Sequence, residues 1–326
     1  MPIGVNTILF QRRLSAGSKG PQMGIAHRRG RRGTGFVLFG LLVPVLIFSL
    51  WVGMAVAAEK TSGQTESGVR VFVTIPPQRY FVERIGGDRV VCSVLVEPGQ
   101  SPETFEPSPQ RLVELSRAEV FFRIGIGFEA SWLERVRAVH PGLRIVDTRE
   151  GVRLLEMGHE GHGTGQADPH IWLDPARVRV QAQNIERGLA AADPAGAALY
   201  SANLSRFLDD LAEVDAQIRA KIQAAGGRKF LVWHPAWGYF AEAYGLEQVA
   251  VEEEGKEPNA KSLASLLDRT RREGFRMIFV SEETRSRAVE SFAKAAGLSL
   301  VRLDPLSMNY LDNLRFMADR IAEGLR

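Results

Sequence analysis

Residues 193–225 read DPAGAALYSANLSRFLDDLAEVDAQIRAKIQAA, and this stretch decides the fold because of what lies on either side of it. Strand signals are absent from Asp174 to Ala225, and apolar residues recur there at helical spacing. Leu199, Leu204, Phe207, Leu208, Leu211, Val214 and Ile218 recur along one helix face, at steps of three or four from Leu204 onward with Phe207 and Leu208 as a pair. Two helices broken at Asp193–Pro194 are predicted, with Asp193 as the N-cap and Pro194 in the first turn of the second.

Outward from this helical stretch, short β-branched and aromatic runs alternate with helical patterns in two sets of four. Val71–Thr74, Val90–Val96, Val120–Ile124 and Leu143–Val146 precede it; Lys229–Trp233, Leu246–Val251, Met277–Val280 and Leu298–Leu303 follow. Helical segments are expected near 77–86, 108–116, 130–139, 236–245, 260–273, 284–296 and from about 309 onward. Alternation of this kind gives βα units and parallel sheets. The reading is an α/β protein of two four-stranded lobes, residues 59–174 and 226–326, joined by linking helices at 175–225. A long helix between lobes is a stiffer joint than an extended linker.

The first 58 residues differ in composition from the rest and are set aside as a signal peptide or membrane anchor. They hold seven basic residues from Arg12 to Arg32 and no acid, then an apolar run from Phe36 ending in Ala55, Val56, Ala57 and Ala58. The small-residue ending favours cleavage near Ala58, while the apolar run is long enough to span a bilayer of ~30 Å. Either reading places the folded part outside the cytoplasm. With those seven bases removed from 41, the remaining 34 Lys and Arg face 38 Asp and Glu, a net charge of −4. A mildly acidic chain without a basic patch is a poor partner for nucleic acid and a better one for a cation. Cys92 is the single cysteine, so no internal disulfide forms, and its apolar surroundings predict a buried, inert thiol.

In open α/β sheets ligands bind at the carboxyl ends of the strands, and four side chains able to hold a metal fall there. Glu103 lies after the second strand in PGQSPETFEPSP, and His170 in DPHIWLDP just beyond the first set. His234 follows the strand Lys229–Trp233, and Asp304 follows the last strand. Singly, each has a plainer reading: a strand-end His is usually a hydrogen-bonded core or loop residue, and a strand-end Asp often caps the next helix. Together they offer imidazole nitrogen and carboxylate oxygen from both lobes, ligands suited to zinc or manganese in the inter-lobe cleft. Four protein ligands fill a tetrahedral shell, whereas hydrolysis by a metal keeps one position open, and no HExxH motif occurs. Two other readings are an exported metallohydrolase, with Glu103 or one of Glu252–Glu254 as base, and an organic-solute binder or adhesin lined by Trp172, Trp233, Trp237 and Tyr239. One of Glu252–Glu254 could instead orient a ligand histidine. The glycine-rich loop Gly158–Gly165 carries His159 and His162, half of a metal site, and reads either as a surface loop that picks up metal loosely or as a solvated loop with incidental histidines.

SVLVEPGQSPETFEPSP, FRIGIGFEASWLE, DPHIWLDP, VWHPAWGYFAEAYGL with VEEEGKEP, and LVRLDPLS occur in an order that resembles the cluster A-I solute-binding proteins of zinc and manganese ABC transporters, over about Val71–Leu325. The resemblance implies two (βα)4 lobes joined by a long rigid helix with one metal between them. It further implies an extracytoplasmic monomer, periplasmic or tethered to the membrane, that passes its ion to an ABC transporter permease. By position the metal ligands fall on His170, His234 and Asp304, with the first at Glu103, where relatives usually carry His. Either a carboxylate replaces that imidazole, shifting preference toward manganese or ferrous iron, or three ligands and water serve. His at position 234 resembles the zinc binders, and zinc binds such a site more tightly than manganese.

Overall fold

The structure, a computed structural model, describes residues 68–156, 167–252, 260–284 and 286–325. The leader, the Gly158–Gly165 stretch with His159 and His162, and Glu253 and Glu254 lie outside the described residues. Among those described, no helix is long and apolar enough to cross a membrane.

Two four-stranded parallel sheets share one plan. Strands β1 (Val69–Val73), β2 (Val90–Val94), β3 (Val120–Arg123) and β4 (Arg144–Asp147) line up in the order β2-β1-β3-β4. Strands β5 (Lys229–Val232), β6 (Glu247–Ala250), β7 (Met277–Ser281) and β8 (Ser299–Leu303) line up as β6-β5-β7-β8. Val71 pairs with both Cys92 and Val120, and Leu231 with both Val249 and Ile278. The middle strands are apolar on both faces, since VRVFV and MIFVS each have helices above and below, as parallel sheets require. In each sheet the chain winds first to one side of the opening strand and then to the other, so a crevice opens between β1 and β3 and again between β5 and β7.

Helices α1 (Pro76–Gly86), α2 (Pro109–Leu115) and α3 (Gly127–Val139) serve the first sheet. The second has α6 (Gly238–Tyr244), α7 (Ala260–Glu273), α8 (Arg287–Ala296) and α9 (Tyr310–Gly324). Between them run α4 (Pro175–Ala192) and the 29-residue α5 (Ala197–Ala225), which at ~1.5 Å per residue is about 43 Å long. The junction differs from the sequence expectation. Asp193 makes no side-chain cap; its carboxylate accepts from Arg89 at 2.8 and 2.9 Å and from the Tyr200 hydroxyl at 2.6 Å, and a 3-10 turn at Pro194–Gly196 starts the second helix. Tyr200, drawn in by that bond, takes the buried place assigned to Leu199, which is 41% exposed.

One apolar core runs through both lobes and α5. Phe81 from α1, Phe207 from α5 and Tyr310 from α9 meet with ring centroids 5.7 Å (Phe81–Phe207) and 4.8 Å (Phe81–Tyr310) apart. Such aromatic pairs add ~0.5–1.5 kcal/mol beyond burial. Several hydrogen bonds cross between the lobes: Trp172 Nε1 donates to the Pro305 carbonyl at 2.7 Å, the Tyr310 hydroxyl to the Trp172 carbonyl at 2.6 Å, and Leu155 N to the Tyr239 hydroxyl at 2.9 Å. Swinging the lobes apart would expose this shared core and break these bonds, which opposes a wide opening of the cleft.

Candidate metal centre

The loop that carries Glu103 is fastened at three points on either side of its tip. Glu97 pairs with Arg111, Phe105 packs edge-on against Phe128 with centroids 5.1 Å apart, and Ser108 caps α2 by accepting from Arg111 N. Glu103 projects between these anchors with its side chain 44% exposed. The opposite wall of the loop is set by Glu129, fully buried at the start of α3. Its carboxylate accepts from Thr74 Oγ1 at 2.5 Å, from the backbone of Ile124 and Gly125 at 3.0 and 2.6 Å, and from Arg123 Nε at 3.2 Å. These bonds fix the turn that presents Ile126 to the cleft.

His170 is held locally. Asp168 Oδ1 accepts from both the backbone N–H of His170 (2.9 Å) and its Nδ1 (2.7 Å). A carboxylate only accepts, so Nδ1 carries the proton and Nε2 keeps its lone pair for the cleft. The Tyr239 hydroxyl donates to the Asp168 carbonyl at 2.7 Å. Gly238, at the start of α6, lets the second lobe come this close: a Cβ there would lie 2.9 Å from Asp168 Oδ2.

His234 is held by a residue 18 positions away. The β5–β6 ladder runs on past the strands, with Val251 N donating to Val232 O and Glu252 N to Trp233 O. This sets Glu252 beside His234, whose Nδ1 donates to Oε2 at 2.8 Å. Its Nε2 lies 2.6 Å from Glu103 Oε1, yet it is buried without a partner in hydrogen-bond geometry. The two atoms form an ion pair when the ring is protonated, and both become electron-pair donors available to a cation once that proton leaves. Burial disfavours the charged ring, but the carboxylates of Glu103 and Glu252 prevail and raise the His234 pKa to about 9. Burial likewise pushes the Glu103 carboxyl up, and His234 and His170 more than offset it, leaving its pKa below the ordinary value.

Glu103, His170 and His234 come together, with one donor atom from each inside a span of 4.8 Å. The two imidazole rings, one from each lobe, lie 5.6 Å apart between centroids. Asp304 is not in this group. Its Oδ1 accepts from Leu306 N at 2.9 Å, its carbonyl accepts from Asn313 Nδ2, and burial with the nearby Glu282 charge raises its pKa. The three donors open onto a cavity of about 210 Å³, whose walls add Glu252, Glu283 and the apolar Ile126, Trp172 and Leu306. Pockets for organic ligands run to ~300–1,000 Å³, so this one suits an ion and a few waters. Trp233, Trp237 and Tyr239 are buried in the packing around the histidines.

Sequence reasoning passed over Asp168, Glu129 and Glu283. Asp168 stood in view two residues before His170. Glu283 follows β7, the strand that borders the crevice, and that position was the available signal. Burial first, then the charges of Asp304 and Glu282, raise its pKa to about 7 against the opposing pull of His234.

Two parallel α/β lobes on a long helix, with imidazoles and carboxylates converging between their strand ends, define a two-lobed binding protein for a small cation. The profile of the family described as zinc-uptake complex component A, periplasmic (ZnuA), matches residues 71–324, and the chain belongs to that family. A crystal structure of ZnuA is 40% identical, with a TM-score of 0.75 over 79% of this chain and 100% of that one. The zinc-binding protein AdcA of Streptococcus pyogenes is 28% identical over 74% of this chain and 51% of its own length, so the chain spans about half of that relative. The high-affinity zinc uptake system protein ZnuA of Bacillus subtilis is 24% identical over 88% of this chain and 97% of its own length.

Proposed function

We propose that the chain captures a zinc ion outside the cytoplasm and delivers it to the membrane permease of an ABC transporter. The observation that carries the reading is the convergence of Glu103, His170 and His234 within 4.8 Å, with the buried Nε2 of His234 aimed at the same point as Glu103. Two imidazoles are borderline donors and the carboxylate a harder one, and by the Irving–Williams order such a set holds zinc more tightly than manganese or ferrous iron. The relatives named above are called zinc-binding and zinc-uptake proteins, which favours zinc as cargo and carriage over catalysis. The shared core and the long helix favour capture by local closing of loops such as that of Glu103 over a wide hinge.

The test is metal content by mass spectrometry on the chain purified without a His-tag, then competition titration with zinc, manganese and ferrous iron. One equivalent of zinc is expected. His170→Ala and His234→Ala are each expected to weaken it by more than the roughly 10–100-fold that outer-shell changes cost. A chain that takes up no stoichiometric metal sinks the reading.

A further inference from the structure

Tyr239 belongs to the second lobe, yet both hydrogen bonds of its hydroxyl are made to the first. The hydroxyl donates to the Asp168 carbonyl at 2.7 Å and accepts from Leu155 N at 2.9 Å. These partners already lie side by side, since Asp168 N donates to the Leu155 carbonyl at 2.8 Å and Glu156 bridges to Ala167. One oxygen from α6 therefore cross-links the two chain segments that converge just before His170. The ring is fully buried, and burial pushes the hydroxyl pKa up to about 12, so the proton it donates stays in place.

The ring is also clamped from the linking helix. The Arg177 guanidinium, in the first turn of α4, lies 4.5 Å from the ring centroid. Its Nη2 pairs with Glu242, one turn along α6 from Tyr239, at 2.5 Å, and its Nη1 with the buried Asp174 at 2.5 Å. Its Nε donates to the Arg153 carbonyl at 3.2 Å, and the Arg153 side chain pairs with Glu242 in turn. Tyr239 is thus fixed against the same short segment, residues 153–155, that its hydroxyl grips. It does not line the metal-facing cavity, so its influence on an ion passes through Asp168, whose carboxylate holds both the ring and the backbone of His170.

We propose that Tyr239 is a positioning residue through which the second lobe sets the aim of His170, so that His170 is a well-directed ligand only while the lobes are in contact. The inference rests on the cleft being the metal-capture site. A shift of α6 by about 1 Å would carry the bond to Asp168 past hydrogen-bond range, so no wide hinge is needed. Opening the cleft and slackening its ligand are then one event, which ties release of the ion to a small separation of the lobes.

The experiment is a double-mutant cycle on the full chain with Tyr239→Phe and Asp168→Asn. It reads zinc affinity by chelator competition, the zinc dissociation rate by stopped flow, and the visible d–d absorption of bound cobalt(II). Tyr239→Phe keeps the ring and its contact with Arg177 and deletes the hydroxyl. It is expected to weaken zinc about tenfold, the low end of the ~10–100-fold range for outer-shell partners, through faster dissociation, and to shift the cobalt bands. Added to Asp168→Asn, it is expected to cost no more than about twofold further, because the route through Asp168 is already broken. Wild-type zinc affinity or an unchanged cobalt spectrum in Tyr239→Phe overturns the proposal even if the thermal midpoint falls, and so do losses that add in full across the cycle. If the unmodified chain binds no stoichiometric metal, the capture reading itself has failed, an outcome distinct from these.

Discussion

The two lobes repeat one strand order and each presents one histidine to the cleft, yet they hold it by different means. In the first lobe Asp168 grips His170 from two residues away through both the ring and the backbone, and Tyr239 of α6 supports Asp168 in turn. In the second lobe Glu252 reaches His234 across a strand pair, and the ring sits between two carboxylates. The first arrangement is a matter of local geometry, and the second a matter of charge. A rigid imidazole on one side and an electrostatically loaded one on the other lets a single cleft both position an ion and compensate its charge.

Replacing each orienting carboxylate by its amide tests that contrast most strongly. Asp168→Asn lets the amide offer an N–H toward Nδ1 and favours the wrong tautomer of His170. Loss of zinc affinity near the upper end of the ~10–100-fold range is expected. Glu252→Gln removes a charge that made His234 a better ligand but also made it hold its proton, so the two effects partly cancel and a smaller loss is expected at pH 7. Competition titration of both variants decides, and equal losses would mean that the two lobes work alike.

The charged lobe also makes a prediction about pH. His234 has a folded pKa of about 9, above the ordinary imidazole value of ~6.5. In the metal-free chain its ion pairs therefore contribute stability that is full below ~6.5 and is lost as pH rises through about 9. Zinc requires the Nε2 lone pair and so displaces the proton, which gives the opposite trend: affinity climbs with pH, by up to roughly tenfold per unit, until about 9. This moves the expected onset of proton competition upward from the ~6.5 of an unperturbed histidine. Calorimetric titration at pH 7.5 in buffers of different ionisation enthalpy should show close to one proton released per zinc. Binding without proton release would show that His234 is neutral in the free cleft.

Much of this was legible in the sequence. The two sets of four strands followed from β-branched runs with helical spacers, because parallel strands buried on both faces leave unbroken apolar stretches. Glu103, His170 and His234 were visible because strand-end position and side-chain chemistry coincide in them. Asp304 met the same criterion and stands outside the three-donor group, with its Oδ1 bonded to Leu306 N. Long-range side-chain bonds were out of reach. Nothing local to Asp193 says that Arg89, 104 residues earlier, will take its carboxylate and leave no cap. Nor does the charge run at Glu252 show which of its members the β5–β6 ladder will place beside His234.

The smallest effect belongs to the contact where the lobes meet. Gly238→Ala would put a methyl group 2.9 Å from Asp168 Oδ2, too close to remain. The carboxylate is the far end of a short side chain and can turn aside, but Oδ1 of the same group holds both the ring and the backbone of His170, so turning aside rotates the imidazole. Since the clash is relieved by a few tenths of an ångström, the expected loss of zinc affinity is only a few-fold, well below the ~10–100-fold of losing the partner outright. Thermal unfolding of the metal-free variant separates the two routes by which the methyl group could act. An unchanged midpoint with weakened zinc binding places the effect on the aim of His170. A lowered midpoint with unchanged affinity would show that α6 gives way instead, and that the close approach of the lobes serves packing alone.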